Sequence, residues 1–179
     1  MKAIETALSL TQAYKLGIER FEKMLGNEFA KAVEFMNNTS THIIVCGMGK
    51  SGLVGRKISS TLASTGTPSI FLHPAEAIHG DLGKVQKKSV VLLISYSGET
   101  GEIIALIPAL KRLDVNIIAL TGVKNSTLAN ISDIVLDTSV DREACPLNLA
   151  PTTSTMITMV LGDALAVSLM ELKNFKLED

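Results

Sequence analysis

The sequence predicts an α/β domain built on a five-stranded parallel sheet covered by helices on both faces. Two observations carry this prediction. Five short runs, at residues 42–46, 69–72, 90–94, 116–120 and 133–136, are nearly continuous in apolar residues instead of alternating, as strands are when both faces of their sheet are covered. Between them lie helical segments near residues 51–64, 75–79, 101–112 and 126–130. Strands alternating with helices define a parallel sheet wound on both sides. A chain of 179 residues, 46% of them hydrophobic, has material for one sizeable core, so a single domain spanning 1–179 is expected.

Taken in order, residues 1–38 read as a helical hairpin ahead of the wound core at 41–173. Ile4, Leu8, Tyr14, Ile18, Phe21 and Leu25 recur at helical spacing, and Gly26-Asn27 supplies a stop before a second helix. The last helix, around Met156 to Met170, is apolar nearly all round but is broken by Thr158, Gly162, Asp163 and Ser168. It falls short of the roughly 18 to 20 apolar residues that cross a bilayer, which predicts burial in the core or between subunits, and hence an oligomer.

Composition excludes several partners. Seventeen basic and 18 acidic residues give a net charge of -1, with no basic patch for nucleic acid or an anionic membrane surface. Any cation that binds an anion must therefore act locally. The opening MKAIETALSL lacks the uninterrupted apolar stretch of a secretory signal and carries Glu5 within it, which predicts a cytoplasmic location. The two cysteines, Cys46 and Cys145, have no metal-ligand spacing and suit a reducing compartment. No metal is expected.

Ligands of wound parallel sheets collect beyond the carboxyl ends of the strands, so the loops there hold the candidate chemistry. Gly47-Met-Gly-Lys-Ser-Gly52 follows the first strand. A triphosphate loop ending in Gly49-Lys50-Ser51 requires glycine at 44, where Ile44 stands. A dinucleotide loop requires an acid closing the second strand, which ends Leu72-His73-Pro74. A tight strand-to-helix turn, or a cradle for a smaller phosphate, remains. Ser95-Tyr-Ser-Gly-Glu-Thr100 follows the third strand and opens a helix near Gly101. Hydroxyls there converge with unpaired N–H groups at a helix N-terminus, which is how a phosphate monoester is held without a basic cluster; simple capping by Ser97 or Thr100 is the plainer alternative. The segment Thr138–Pro151 is long for an unstructured loop, a length usually associated with function. Thr152-Thr-Ser-Thr155 then starts the last helix, capping it or facing the same pocket. A further loop, Pro74–Gly83, holds Glu76, His79 and Asp81.

Together, Gly47–Gly52, Ala63-Ser-Thr-Gly-Thr-Pro68, His73-Pro-Ala-Glu-Ala-Ile-His-Gly-Asp-Leu-Gly83, Ser95–Thr100 and Glu143-Ala-Cys-Pro-Leu-Asn-Leu-Ala-Pro151 resemble the sugar isomerase (SIS) domain, and within it the arabinose 5-phosphate isomerases that start synthesis of the lipopolysaccharide sugar Kdo. The resemblance covers residues 41–173 with the N-terminal helices also in place. It implies a flavodoxin-like three-layer α/β/α sandwich, usually a homotetramer, interconverting D-ribulose 5-phosphate and D-arabinose 5-phosphate without a cofactor. It places the family's functional Lys at Lys50, its His at His79 and its two acids at Glu102 and Glu143. The substrate phosphate falls to the loop carrying Ser95, Ser97, Gly98 and Thr100, with Ser51 beside it, and Gly49, Thr152 and Thr153 complete the substrate-binding candidates. The pair of CBS domains common in the family, and a further active-site His in a Ser-His-Pro-Gly-Gly motif after the last helix, do not occur before Asp179. The resemblance therefore implies that this group is supplied differently or that the activity is altered.

Aldose–ketose isomerisation moves a proton between C1 and C2 through an enediol, which calls for a base near both carbons and polarisation of the carbonyl oxygen. Glu102 and Glu143 are the candidate bases, with a carboxyl pKa raised by partial burial. Glu143 is favoured for proton transfer because its long loop can place it over the sugar, and Glu102 for binding hydroxyls. Lys50 suits the developing enediolate, and His79 suits proton shuttling or ring opening. Plainer roles are a first-turn acid at Glu102 and a salt bridge from Glu143 to Arg142. Other readings are a different phosphosugar isomerase of the same family, or a sugar-phosphate sensor, which needs the hydroxyl cradle but no base.

Overall fold

The computed structural model describes residues 1–176 and 178. Two helices, α1 (Lys2–Met24) and α2 (Asn27–Asn37), precede β1 (Ile43–Gly47), α3 (Gly49–Ser64), β2 (Ser69–Leu72), α4 (Pro74–Ile78), β3 (Val90–Ile94), α5 (Gly101–Arg112), β4 (Asn116–Thr121), α6 (Thr127–Ile131), β5 (Ile134–Asp137) and α7 (Thr153–Leu172). The five strands form one sheet in the order β2-β1-β3-β4-β5, and every pair is parallel.

Side chains that alternate along a strand face opposite sides, and the continuous apolar runs accordingly feed two cores. Ile43 and Val45, with Val90, Leu92 and Ile94, pack beneath α2, α3 and α7. Ile44 and Cys46, with Val91 and Leu93, pack beneath α4, α5 and α6. This two-sided burial is why the strands lack the alternation of a half-exposed sheet.

The helix α7 is the centre of the first layer, packed against α1, α2 and α3. Gly162 makes this possible. A Cβ there would lie 2.3 Å from Ile58 Cγ1 of α3, so only glycine permits the approach. By length and composition α7 reaches what a bilayer-spanning helix needs, contrary to the sequence expectation, yet Ile157, Leu161, Leu165 and Leu169 are fully enclosed by the domain.

The apolar stripe of α1 turns out differently from its periodicity. Ala13, Gly17 and Phe21, each four residues apart, form the ridge that meets the body, and a Cβ on Gly17 would lie 3.0 Å from Thr153 Cγ2. Ile4 and Leu8 are 67% and 63% exposed. Small residues seat this helix, because close approach to α7 outweighs side-chain size. Both α1 and α2 pack more extensively on α7 than on each other.

Candidate active site

The strand order reverses between β1 and β3, and the crevice beyond their carboxyl ends is the switch point where ligands of wound sheets bind. Three segments surround it. After β1 the chain turns at once into α3, whose N-terminus carries no side-chain cap. A Cβ on Gly52 would lie 2.6 Å from the Gly47 carbonyl oxygen, so the glycines serve close packing. Lys50 and Gly49 are exposed and Ser51 is half-buried.

After β3, the segment 95–100 folds on itself. The hydroxyls of Ser95 and Thr100 are 2.8 Å apart, Gly98 N–H donates to Ser95 Oγ at 3.1 Å, and Glu99 N–H donates to Ser97 Oγ at 3.2 Å. Gly98 sits at φ 68°, where a Cβ would fall 2.0 Å from Ser126 Oγ. Glu99 Oε1 accepts from Thr127 N–H at 2.6 Å, bracing the turn on α6. Neither Ser97 nor Thr100 caps α5, so the plain capping alternative is not realised, and the first N–H groups of that helix have no side-chain acceptor.

The third segment is a strap, residues 138–151, fastened at several points. Arg20 of α1 pairs with Asp141 at 2.7 Å and donates to Ser139 Oγ at 2.9 Å. Val140 N–H donates to Tyr96 Oη at 3.3 Å, and Glu143 N–H to Asn148 Oδ1 at 2.8 Å. The Glu143 carboxylate accepts from Thr152 N–H at 2.7 Å, Thr152 Oγ at 3.1 Å, Ser154 N–H at 3.2 Å and the Ser154 hydroxyl. Burial raises this carboxyl pKa, but the donors from Ser154 and Thr152 outweigh it and hold the group below its ordinary value. The sequence expectation of a raised pKa is thereby corrected: burial here comes with four donors, and they favour the anion. The expected alternative, a salt bridge from Glu143 to Arg142, does not form among the described residues.

A cavity of about 280 Å³ opens between the strap and the sheet mouth, its wall including Ser51, Tyr96, Arg142, Glu143, Asn148 and Ser154. Of the residues singled out in the sequence, Ser51 and Glu143 line it. Lys50, His79 and Glu102 lie outside its wall, although Lys50 and Glu102 sit on the adjoining first turns of α3 and α5. His79 is exposed at the C-terminal end of α4. Thr152 faces the strap, holding Glu143 and accepting from Ala144 and Cys145 N–H. Thr153, read as a substrate contact, lines a separate cavity against Gly17 and Arg20 instead, because the tight α1–α7 contact draws it to the other side. Its Oγ finds no hydrogen-bond partner among the described residues. Sequence reading missed Tyr96, Arg142 and Asn148 as wall residues; the length of the 138–151 loop was the available signal for the last two. Among the described residues no cluster of His, Cys, Asp and Glu is gathered for a metal ion.

A wound parallel sheet with a hydroxyl-rich turn at its switch point and an acid-bearing strap across it matches one family over most of its length. The chain belongs to the SIS domain family, whose match covers residues 36–168. It is 55% identical over 155 residues to the arabinose 5-phosphate isomerase KdsD of Pseudomonas aeruginosa, covering 87% of this chain and 48% of that protein. It is 48% identical over 174 residues to KdsD of Francisella tularensis, covering 94% of this chain and 53% of the relative. The chain thus spans about half the length of the curated relatives it matches. Among solved structures, a protein of Escherichia coli CFT073 in complex with arabinose 5-phosphate superposes with a TM-score of 0.91 at 39% identity, covering 99% of this chain and 95% of that one. A protein of Listeria monocytogenes superposes with a TM-score of 0.94 at 33% identity, over 98% and 93% of the two chains.

Proposed function

We propose that this chain is an aldose–ketose isomerase that interconverts D-ribulose 5-phosphate and D-arabinose 5-phosphate in the cytoplasm, at the entry to Kdo synthesis. The observation that carries this reading is the arabinose 5-phosphate complex of the E. coli neighbour, which this chain matches over nearly its whole length. The hydroxyls and amides of Ser95, Ser97, Gly98 and Thr100, with Ser51 and the uncapped start of α5, suit a phosphate monoester. The phosphosugar then lies in the cavity between this turn and the strap.

A base removes the proton from C2 of the aldose, the C–H electron pair forms the C1–C2 double bond and the carbonyl pair goes to O1, which takes up a proton to give the enediol. O2 then loses its proton as the C2 carbonyl forms and the double-bond pair takes the proton back at C1, so that net one proton moves from C2 to C1 and one from O2 to O1. Electrons stay within the sugar, so the step needs no redox cofactor. Glu143, saturated by four donors, is a weak base in this arrangement and suits holding sugar hydroxyls or the strap itself. Glu102 makes no hydrogen bond or ion pair among the described residues, which suits it to proton transfer, reversing the roles favoured by loop length. In this reading Lys50, on the first turn of α3, stabilises an enediolate oxygen and His79 shuttles protons, both acting from outside the cavity wall of the single chain. Gly49 and Thr152 stand outside the cavity wall, and Thr152 supports the site by holding Glu143. The exposed faces of α1 and α7, with Val167 50% exposed, fit assembly into a homotetramer, in which a neighbour can bring groups to the site.

Incubation with D-arabinose 5-phosphate in the presence of chelator, with ribulose 5-phosphate assayed as product, tests the activity. Turnover is expected, and solvent exchange at C2 is lost in Glu102→Gln. Tight binding without turnover would replace the isomerase with a sensor.

A further inference from the structure

Three consecutive charged residues, Asp141, Arg142 and Glu143, stand on the wall of the site cavity, and among the described residues they are its only charged lining. The flanking acids are already committed. Asp141 is turned onto Arg20 of α1, and Glu143 is held by Thr152 and Ser154 at the start of α7. Arg142 itself makes no hydrogen bond or ion pair among the described residues. Exposed arginines are ordinarily solvated surface charges. This one differs because its backbone is pinned on both sides, through Val140 N–H to Tyr96 and Glu143 N–H to Asn148. Both carboxylates that could quench it are drawn elsewhere. The cavity wall therefore carries one cation with no ion-pair partner among the described residues, beside a Glu143 anion whose lone pairs are already taken by neutral donors.

A phosphate monoester brings close to two negative charges at neutral pH. The hydroxyl turn at 95–100 offers dipoles but no cation, while a guanidinium gives planar, bidentate recognition of phosphate oxygens. Tyr96, from that turn, lines the same cavity as Arg142. We propose that Arg142 is a substrate-binding residue that draws the phosphosugar anion into the cavity and grips it there. This rests on the reading of the cavity as a phosphosugar site.

Calorimetric titration of the full chain with inorganic phosphate and with D-arabinose 5-phosphate, at low and high salt, tests it in Arg142→Gln and Arg142→Lys alongside the parent protein. Removing a charge-assisted bidentate contact is expected to weaken both ligands about tenfold in the glutamine variant. The loss falls on KM more than kcat, with a flatter salt dependence. The lysine variant keeps the salt dependence of the parent and recovers part of the affinity, since its charge remains but its fork does not. Unchanged affinity and salt dependence in Arg142→Gln, or a loss confined to kcat, overturns the proposal while leaving the isomerase reading standing. Absence of phosphosugar binding in the parent protein overturns both.

Discussion

Replacing Glu143 by alanine removes an acceptor for four donors at once, two of them the N–H groups of Thr152 and Ser154 at the start of α7. Loss of a helix N-cap costs about 0.5–2 kcal/mol, and loss of a negative charge at a helix N-terminus about 0.3–1 kcal/mol. The carboxylate is half-exposed, so the middle of the combined range applies, about 2 kcal/mol. For a domain of this size each kcal/mol moves the unfolding midpoint by about 2–4 °C, which predicts a fall of about 4–8 °C at fixed protein concentration. The pH dependence separates this account from a generic packing defect. Burial raises the Glu143 pKa, the hydrogen bonds from Ser154 and Thr152 lower it further than burial raises it, and the folded value lies below the ordinary 4.5. A group whose folded pKa is depressed stabilises fully above its unfolded value, and that stabilisation is lost as pH falls through the folded value. The gap between parent and Glu143→Ala is therefore constant from neutral pH down to about 4.5 and narrows only below it. Thermal unfolding across that range decides the matter. A gap under about 0.5 kcal/mol at neutral pH, smaller than a typical cap, or one that persists undiminished in acid, would refute the capping role.

Two further outcomes follow from the packing. Gly162→Ala places a methyl 2.3 Å from Ile58 Cγ1; overpacking of about 1–3 kcal/mol exceeds the helix-propensity gain of about 1 kcal/mol, so the urea midpoint falls, and the added cost of Gly162→Ala shrinks when measured in an Ile58→Ala background if the contact is the cause. In the native protein iodoacetamide labels Cys145 well before Cys46: backbone N–H groups of Ala150, Leu149 and Leu147 hold the Cys145 thiol below its ordinary range, whereas burial pushes Cys46 up to about 12. Peptide mass mapping showing Cys46 labelled at the same rate would overturn the assignment of Cys46 to a closed core.

The sheet was legible because its determinants are local. Each strand is a run of four to six residues whose continuous apolarity already encodes two covered faces; β2 and β3 coincide with the expected runs, and the others differ by one residue at one or both ends. His42 and Asp133 drop out as exposed lead-ins, and Gly47, Thr121 and Asp137 join β1, β4 and β5. The face of α1 was less legible. Periodicity weights large residues, so Ile4 and Leu8 drew attention, while the seating was made by Ala13, Gly17 and Phe21. Small residues carry no periodic signal, and what they accommodate, Thr153 and Ile157 of α7, lies more than a hundred positions away.

The site divides along the same line. The turn at 95–100 satisfies its own hydroxyls within six residues, so its character could be read from spacing alone. The strap could not be read this way, because its chemistry depends on which charges are already spent. Asp141 is spent on Arg20, 121 positions earlier, and Glu143 on a helix that begins ten residues later. Read as a run of residues, the strap offers Glu143 as a base or, alternatively, as the partner of Arg142. Folding removes the pairing, since Glu143 anchors the start of α7 as an anion and Arg142 is left without an ion-pair partner among the described residues. In a loop dense in ionisable groups, composition thus shows which charges are present, while long-range pairing decides which of them keep a partner.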